Sequence, residues 1–193
     1  MPKIVDHEQY RRELLSQCFH LFAEKGYAAL TMRQIAKELG VSTGTLYHYF
    51  PSKEALFEQL FAEMNRADIK RLVAQFQNFP TPLERIEGAF QFLAQHEDYF
   101  AKQTMIMIEF YQQQGRDSIR CSEIFSQVWK ESESLIGEAL GVQDVTLLRF
   151  IGCFIDGLML HRMFDTECIS FTEQTQMLLT LLKPYLERSQ APT

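Results

Sequence analysis

The chain has 193 residues and a mass of 22.6 kDa, 46% hydrophobic and 23% charged, which supplies a buried core and excludes a disordered tail. Its 19 Lys and Arg against 25 Asp and Glu give a formal charge of −6 and a pI near 5.4. That balance excludes a blanket of basic charge for nonspecific nucleic-acid binding but leaves room for a local basic face.

Only six valines occur, no segment alternates apolar and polar residues, and no proline lies between Pro82 and Pro184. An all-α chain is expected. The first helix is predicted from about Asp6 to Lys25, with Leu14, Leu15, Cys18, Phe19 and Phe22 on its apolar face and Gly26 as its C-terminal cap. Two short helices follow at roughly 32–39 and 43–49. A long one starts after Ser52 and runs to about Gln77, before the Pro80/Pro82 break. Further helices are expected near 83–97, 99–114, 117–140 (one helix or two), 144–163 and 171–188, with breaks at Gly115, Gly141 and Asp165–Ser170.

The two short helices carry the informative pattern. Thr31 and Gln34 have capping-box spacing, with Leu30 and Ile35 in the flanking staple positions. Ser42 is a second N-cap, flanked by Val41 and Leu46, and Ser52 is a third. Ala36 is small enough for a helix crossing and Gly40 suits the turn. Ile35, Leu39, Val41 and Leu46 can lock the two helices together, as a helix-turn-helix requires. A generic helical hairpin has the same pattern. The outward residues Thr43, Gly44, Thr45, Tyr47 and His48, with Arg33, Lys37 and Lys53 opposed only by Glu38 within 31–53, favour insertion into a DNA major groove.

Phe22–Tyr27, Thr31–Ala36 and Gly40–Lys53 together resemble, over about 50 gapless residues, the N-terminal domain of TetR-family transcriptional regulators. The remainder is similar to the family only in length and helical content. The resemblance implies a helix-turn-helix DNA-binding domain at 6–66, with the motif at about 31–50, and a ligand-binding and dimerisation domain at 67–193. It also implies a homodimer reading a palindromic double-stranded operator. Position by position, Thr43, Gly44 and Tyr47 fall where family members approach base edges, and Arg33 where a side chain reaches a base or phosphate. Thr31, Thr45, His48, Tyr49 and Lys53 fall at phosphate-contacting positions. Hydroxyls and helix N-termini suit phosphate oxygens, and Arg suits guanine. Tyr49 has a second reading, closing the small core. Leu46 and Phe50 are expected to pack inward.

Residues 83–188 are rich in methionine and aromatic side chains, which suit a cavity for apolar or aromatic molecules but equally a plain core. Phe90, Met105, Ile108, Glu109, Tyr111, Trp129, Phe154, Asp156 and His161 are the candidate ligand-binding residues. Glu109 and Asp156 stand out as carboxylates in apolar runs. They serve either a buried hydrogen bond or Asp–Arg pair, or the orientation of an effector. In the family the last two helices form the dimer interface. Here those are about 144–163 and 171–188, with Leu178, Leu179, Leu181, Leu182 and Tyr185 as the apolar face and Gly152 and Gly157 allowing close approach.

The expected function is a ligand-responsive transcriptional regulator, a repressor released from its operator by a small, largely apolar or aromatic effector. The alternative is a redox-responsive regulator using Cys121, Cys153 or Cys168. A helical-bundle enzyme comes last, because no histidine completes H-E-x-x-H or E-x-x-H and no G-x-S-x-G or phosphate loop occurs. No cofactor or metal is expected. The charged N-terminus and the absence of ~18 consecutive apolar residues point to a cytoplasmic protein away from membranes. The widely spaced cysteines fit reduced thiols. Residues 1–50 carry a net +1 and 51–193 a net −7, so the acidity belongs to the half that need not touch DNA.

Overall fold

The computed structural model describes residues 6–76, 79–165, 167 and 169–189. Among these the chain is all α, with ten helices and no strand: α1 (His7–Lys25), α2 (Met32–Glu38), α3 (Thr43–Tyr49), α4 (Lys53–Gln75), α5 (Pro82–Gln95), α6 (Glu97–Gln114), α7 (Arg116–Cys121), α8 (Glu123–Leu140), α9 (Val145–Phe164) and α10 (Phe171–Ser189). The end expected for α4 near Gln77 lies outside the described residues. The 117–140 stretch is two helices, divided at Ser122, whose hydroxyl donates to Glu58 at 2.6 Å. No described helix is long and apolar enough to cross a membrane.

Two compact units divide the chain, and α4, α6 and α8 each contribute residues to both. The first comprises residues up to Ala67 together with Lys102–Lys130, so part of the stretch read from sequence as the second domain groups with the DNA-binding motif. Its core is aromatic at the centre. Phe57 stacks on Phe110 at 4.2 Å, and Tyr27 meets both edge-on at 5.1 and 5.2 Å. Leu14, Leu15, Cys18, Ile35, Leu46, Phe50 and Leu56 are buried in the same unit. Burial pushes the Cys18 thiol up to about 12, so it remains protonated and inert.

The second unit comprises Asp68–Ala101 and the chain from Glu131 onward. A Thr81–Glu84 capping box with Pro82 in the first turn starts α5, which packs along α10. Phe90, Leu147, Ile151, Leu158, Phe171, Leu178 and Leu182 form its core. Leu178 and Leu182 therefore do not belong to an outward apolar face, and Leu179 is only half open. The exposed large residues of α10 are Met177, Leu181 and Tyr185, one helical stripe away, because 171, 175, 178, 182 and 186 share the face turned inward. On α9 the open stripe is Phe150, Cys153, Leu160 and Phe164. A Cβ added at Gly152 or Gly157 would meet nothing within 4 Å.

Candidate nucleic-acid interface

The helix-turn-helix is built by local chemistry. The Thr31 hydroxyl accepts from Gln34 N at 3.3 Å, and the Gln34 side chain returns to Thr31 N at 2.9 Å, fixing the start of α2. At its other end Val41 N reaches back to Ala36 O at 3.0 Å across Gly40, whose φ of +68° favours glycine. Ser42 then caps α3 through Thr45 N at 2.9 Å, and Ser52 caps α4 through Ala55 N at 3.1 Å. All three N-caps fall where the spacing put them.

Leu46 and Phe50 are fully buried and pin α3 from beneath, while Thr43, Gly44, Tyr47 and His48 are exposed, Tyr47 by 50%. Arg33 is exposed on α2 and forms no ion pair among the described residues. This row of groups projects from a short helix held rigidly by its neighbours. Thr45 is half-buried, its hydroxyl engaged with that of Ser42 at 2.7 Å, so it supports the cap. Tyr49 is half-buried and its hydroxyl meets His7 Nδ1 at 2.9 Å. His7 had no place in the sequence reading.

Lys53 is drawn elsewhere. Its ammonium donates to Tyr27 O at 3.1 Å, Leu30 O at 3.0 Å and Gln113 Oε1 at 3.3 Å, and lies 4.1 Å from the centroid of the Tyr27 ring. Desolvation lowers its pKa. In this geometry the ammonium ties the α1–α2 connection to α4 rather than pointing outward to a phosphate. A Lys53→Met variant is therefore expected to lose about 1–2 kcal/mol of stability, seen as a lower thermal midpoint. The salt dependence of its DNA binding should match the parent's. A flattened salt slope with unchanged stability would instead return Lys53 to the phosphate contacts.

Glu109 also has a local task. Its carboxylate accepts from Ala28 N at 3.1 Å, and a Cβ on Gly26 would lie 3.0 Å from its Oε2. Of the two roles expected of it, this is the hydrogen-bonded one: Glu109 braces the turn before α2. Phe90 is buried in the second core. Met105, Tyr111 and Trp129 are exposed on the first unit, and Ile108 is half-buried there. Arg162 pairs with Glu97, Nε to Oε1 at 2.6 Å and Nη2 to Oε2 at 2.8 Å. Asp156 keeps an open edge while desolvation by its neighbours raises its carboxyl pKa. Phe154 and His161 come together with Cys153, Gly157, Leu158, Ile169 and Gln174 around a groove of about 370 Å³. Of the expected ligand residues, Met105, Ile108, Glu109, Tyr111 and Trp129 thus belong to the first unit and Phe90, Phe154, Asp156 and His161 to the second.

Residues 14–60 match the family model described as bacterial regulatory proteins, tetR family. That segment is similar to the N-terminal DNA-binding part of the tetR family. Among curated relatives, the repressor KstR2 of Mycobacterium tuberculosis is 36% identical over 95 residues, covering 47% of this chain and 46% of that protein. The nucleoid occlusion factor SlmA of Haemophilus influenzae is 34% identical over 93 residues, covering 47% and 43%. The matched part is thus less than half of the length of either relative. The crystal structure of the regulator FadR from Bacillus subtilis, in complex with stearoyl-CoA, is similar in fold with a TM-score of 0.66 at 21% identity, covering 89% of this chain and 96% of that one.

Proposed function

We propose that this chain is a TetR-family, ligand-responsive, DNA-binding transcriptional repressor of the cytoplasm that acts as a homodimer on a palindromic operator. The observation that carries the reading is α3: two turns long, capped by Ser42, anchored by buried Leu46 and Phe50, and presenting Thr43, Gly44 and Tyr47 outward. Arg33, Thr31 and His48 flank it as backbone or base contacts. The dimer reading is supported by the open apolar stripes of α9 and α10 and by the empty space over Gly152 and Gly157, where a second copy's helix would fit closely.

A small, largely apolar or aromatic effector is supported by the 370 Å³ groove, which falls within the size of small-molecule sites and places His161 and Gln174 among apolar walls. The likeness to FadR, whose structure holds stearoyl-CoA, fits a fold that admits apolar ligands. An effector that binds the poorly spaced conformer better lowers DNA affinity by that difference, and DNA lowers effector affinity equally. The redox-responsive reading rests on Cys121 and Cys153, both free and exposed; Cys168 lies outside the described residues.

Selection from a random-sequence duplex pool tests the whole reading. The expected result is enrichment of one inverted repeat, bound by two protomers. Uniform recovery of all sequences would overturn it.

A further inference from the structure

Four rings meet at the C-terminal edge of α3. His7, in the first turn of α1, has its ring centroid 6.3 Å from that of His48 and 6.1 Å from that of Tyr49, with Nδ1 on the Tyr49 hydroxyl. Tyr10 meets Tyr49 edge-on at 5.5 Å, and His48 does so at 5.1 Å. His7 and His48 are exposed; Tyr10 and Tyr49 are half-buried.

The charged groups around this cluster are otherwise engaged. On α1, the Asp6 carboxylate accepts from Glu8 N and Gln9 N, and Glu8 pairs with Arg11 at 3.1 Å. Arg11 also reaches Gln59 and Glu63 of α4. The α3 segment TGTLYHY contains no acidic residue, and Lys53 at the start of α4 is held by the carbonyls of Tyr27 and Leu30. No carboxylate is hydrogen-bonded to either imidazole among the described residues.

We infer that His7 is a positioning residue of the duplex interface and that His7 and His48 together tighten DNA binding as pH falls through the histidine range. The inference rests on the DNA-binding reading above and adds a proton to it. With neutral His7, the hydrogen shared between Nδ1 and the Tyr49 oxygen can belong to either atom. Once the ring takes a proton from solvent, Nδ1 must donate and the phenol oxygen accepts. The Tyr49 O–H is then released to donate to a phosphate oxygen. One proton thus adds a positive charge and turns a hydroxyl outward.

In the free protein a second imidazolium 6.3 Å from the first is repelled, and a phosphate beside both offsets that repulsion. The bound state therefore holds more protons than the free one. Affinity is then greatest where both imidazoles carry a proton and is lost as pH rises. Each proton taken up changes affinity by up to about tenfold per pH unit. The effect is large for this chain because residues 1–50 carry a net charge of only +1, so each imidazolium adds substantially to what the reading head presents.

The test measures fluorescence anisotropy of the duplex recovered from the random pool, at constant ionic strength, from about pH 6 to about pH 8. It compares the full chain with His7→Gln, His48→Gln and the double variant. The parent is expected to bind about tenfold or more tightly at the acid end. Each single variant should lose part of the slope. The double variant should bind the same duplex with a nearly flat profile. A merely structural His7 would shift affinity equally at every pH and leave the slope intact, which overturns the inference, as does a flat parent profile. Recovery of no preferred duplex at any pH would overturn the DNA-binding reading itself, and this inference with it.

Discussion

Tyr47→Ala abolishes sequence-specific binding while leaving the protomer folded: this is the expected result at the most exposed large residue of the reading helix. Tyr47 is half exposed, and α3 is anchored from the opposite side by Leu46 and Phe50, both at 0% exposure. Removing an exposed ring away from the core changes stability by about 0.5 kcal/mol or less. A base-reading contact contributes about 1–3 kcal/mol of discrimination, and a homodimer carries it twice. Affinity for the selected duplex should therefore fall at least about 30-fold, with nonspecific binding and thermal midpoint close to the parent's. Mobility shift with specific and scrambled duplexes reads the first quantity, and circular dichroism melting reads the second. Equal affinity for the selected duplex would remove Tyr47 from the interface, and with it the assignment of α3 as the reading helix.

The second large effect is expected in the other unit. Leu160 on α9 and Leu181 on α10 are 40% and 61% exposed, within the two apolar stripes that no other part of their own unit covers. A Leu160→Glu/Leu181→Glu chain should fold, because both positions are open in the single protomer. It should sediment as a monomer, because pairing would bury four carboxylates against apolar surface. Loss of the dimer removes the tethering of the second reading head, so operator affinity should fall by about 10²- to 10⁴-fold. Binding to an isolated half-site should stay unchanged. A variant that remains dimeric in sedimentation would move the interface away from α9 and α10.

These expectations differ in how much of them could be read along the chain. The caps at Thr31, Ser42 and Ser52, and the turn at Gly40, are made by groups within a few residues of each other. Spacing alone therefore locates them, and the inward packing of Leu46 and Phe50 follows from helical periodicity. The face of α10 was not legible in the same way. LLTLL offers leucines on adjoining faces, and only packing along α5 selects Leu178 and Leu182 for the core and leaves Leu181 outside. The Thr81–Glu84 box was not read from the sequence, and it sets the start of α5 at Pro82, one residue before the expected start near 83.

By itself, then, the sequence determined the helical class, the position of nearly every break and the row of groups on α3, because each depends on bonds and periodicities spanning a turn or two. Its charge division also determined that the reading head cannot rely on a basic surface. Tertiary structure decided the partners of the polar side chains. Glu109 finds Ala28 N 81 residues away, Lys53 finds carbonyls 26 and 23 residues back, and His7 finds Tyr49 42 residues on. A buried or half-buried polar group must be satisfied, but its type and position state only that need. Which group satisfies it depends on how distant helices are brought together, and that is set by the packing of the apolar faces.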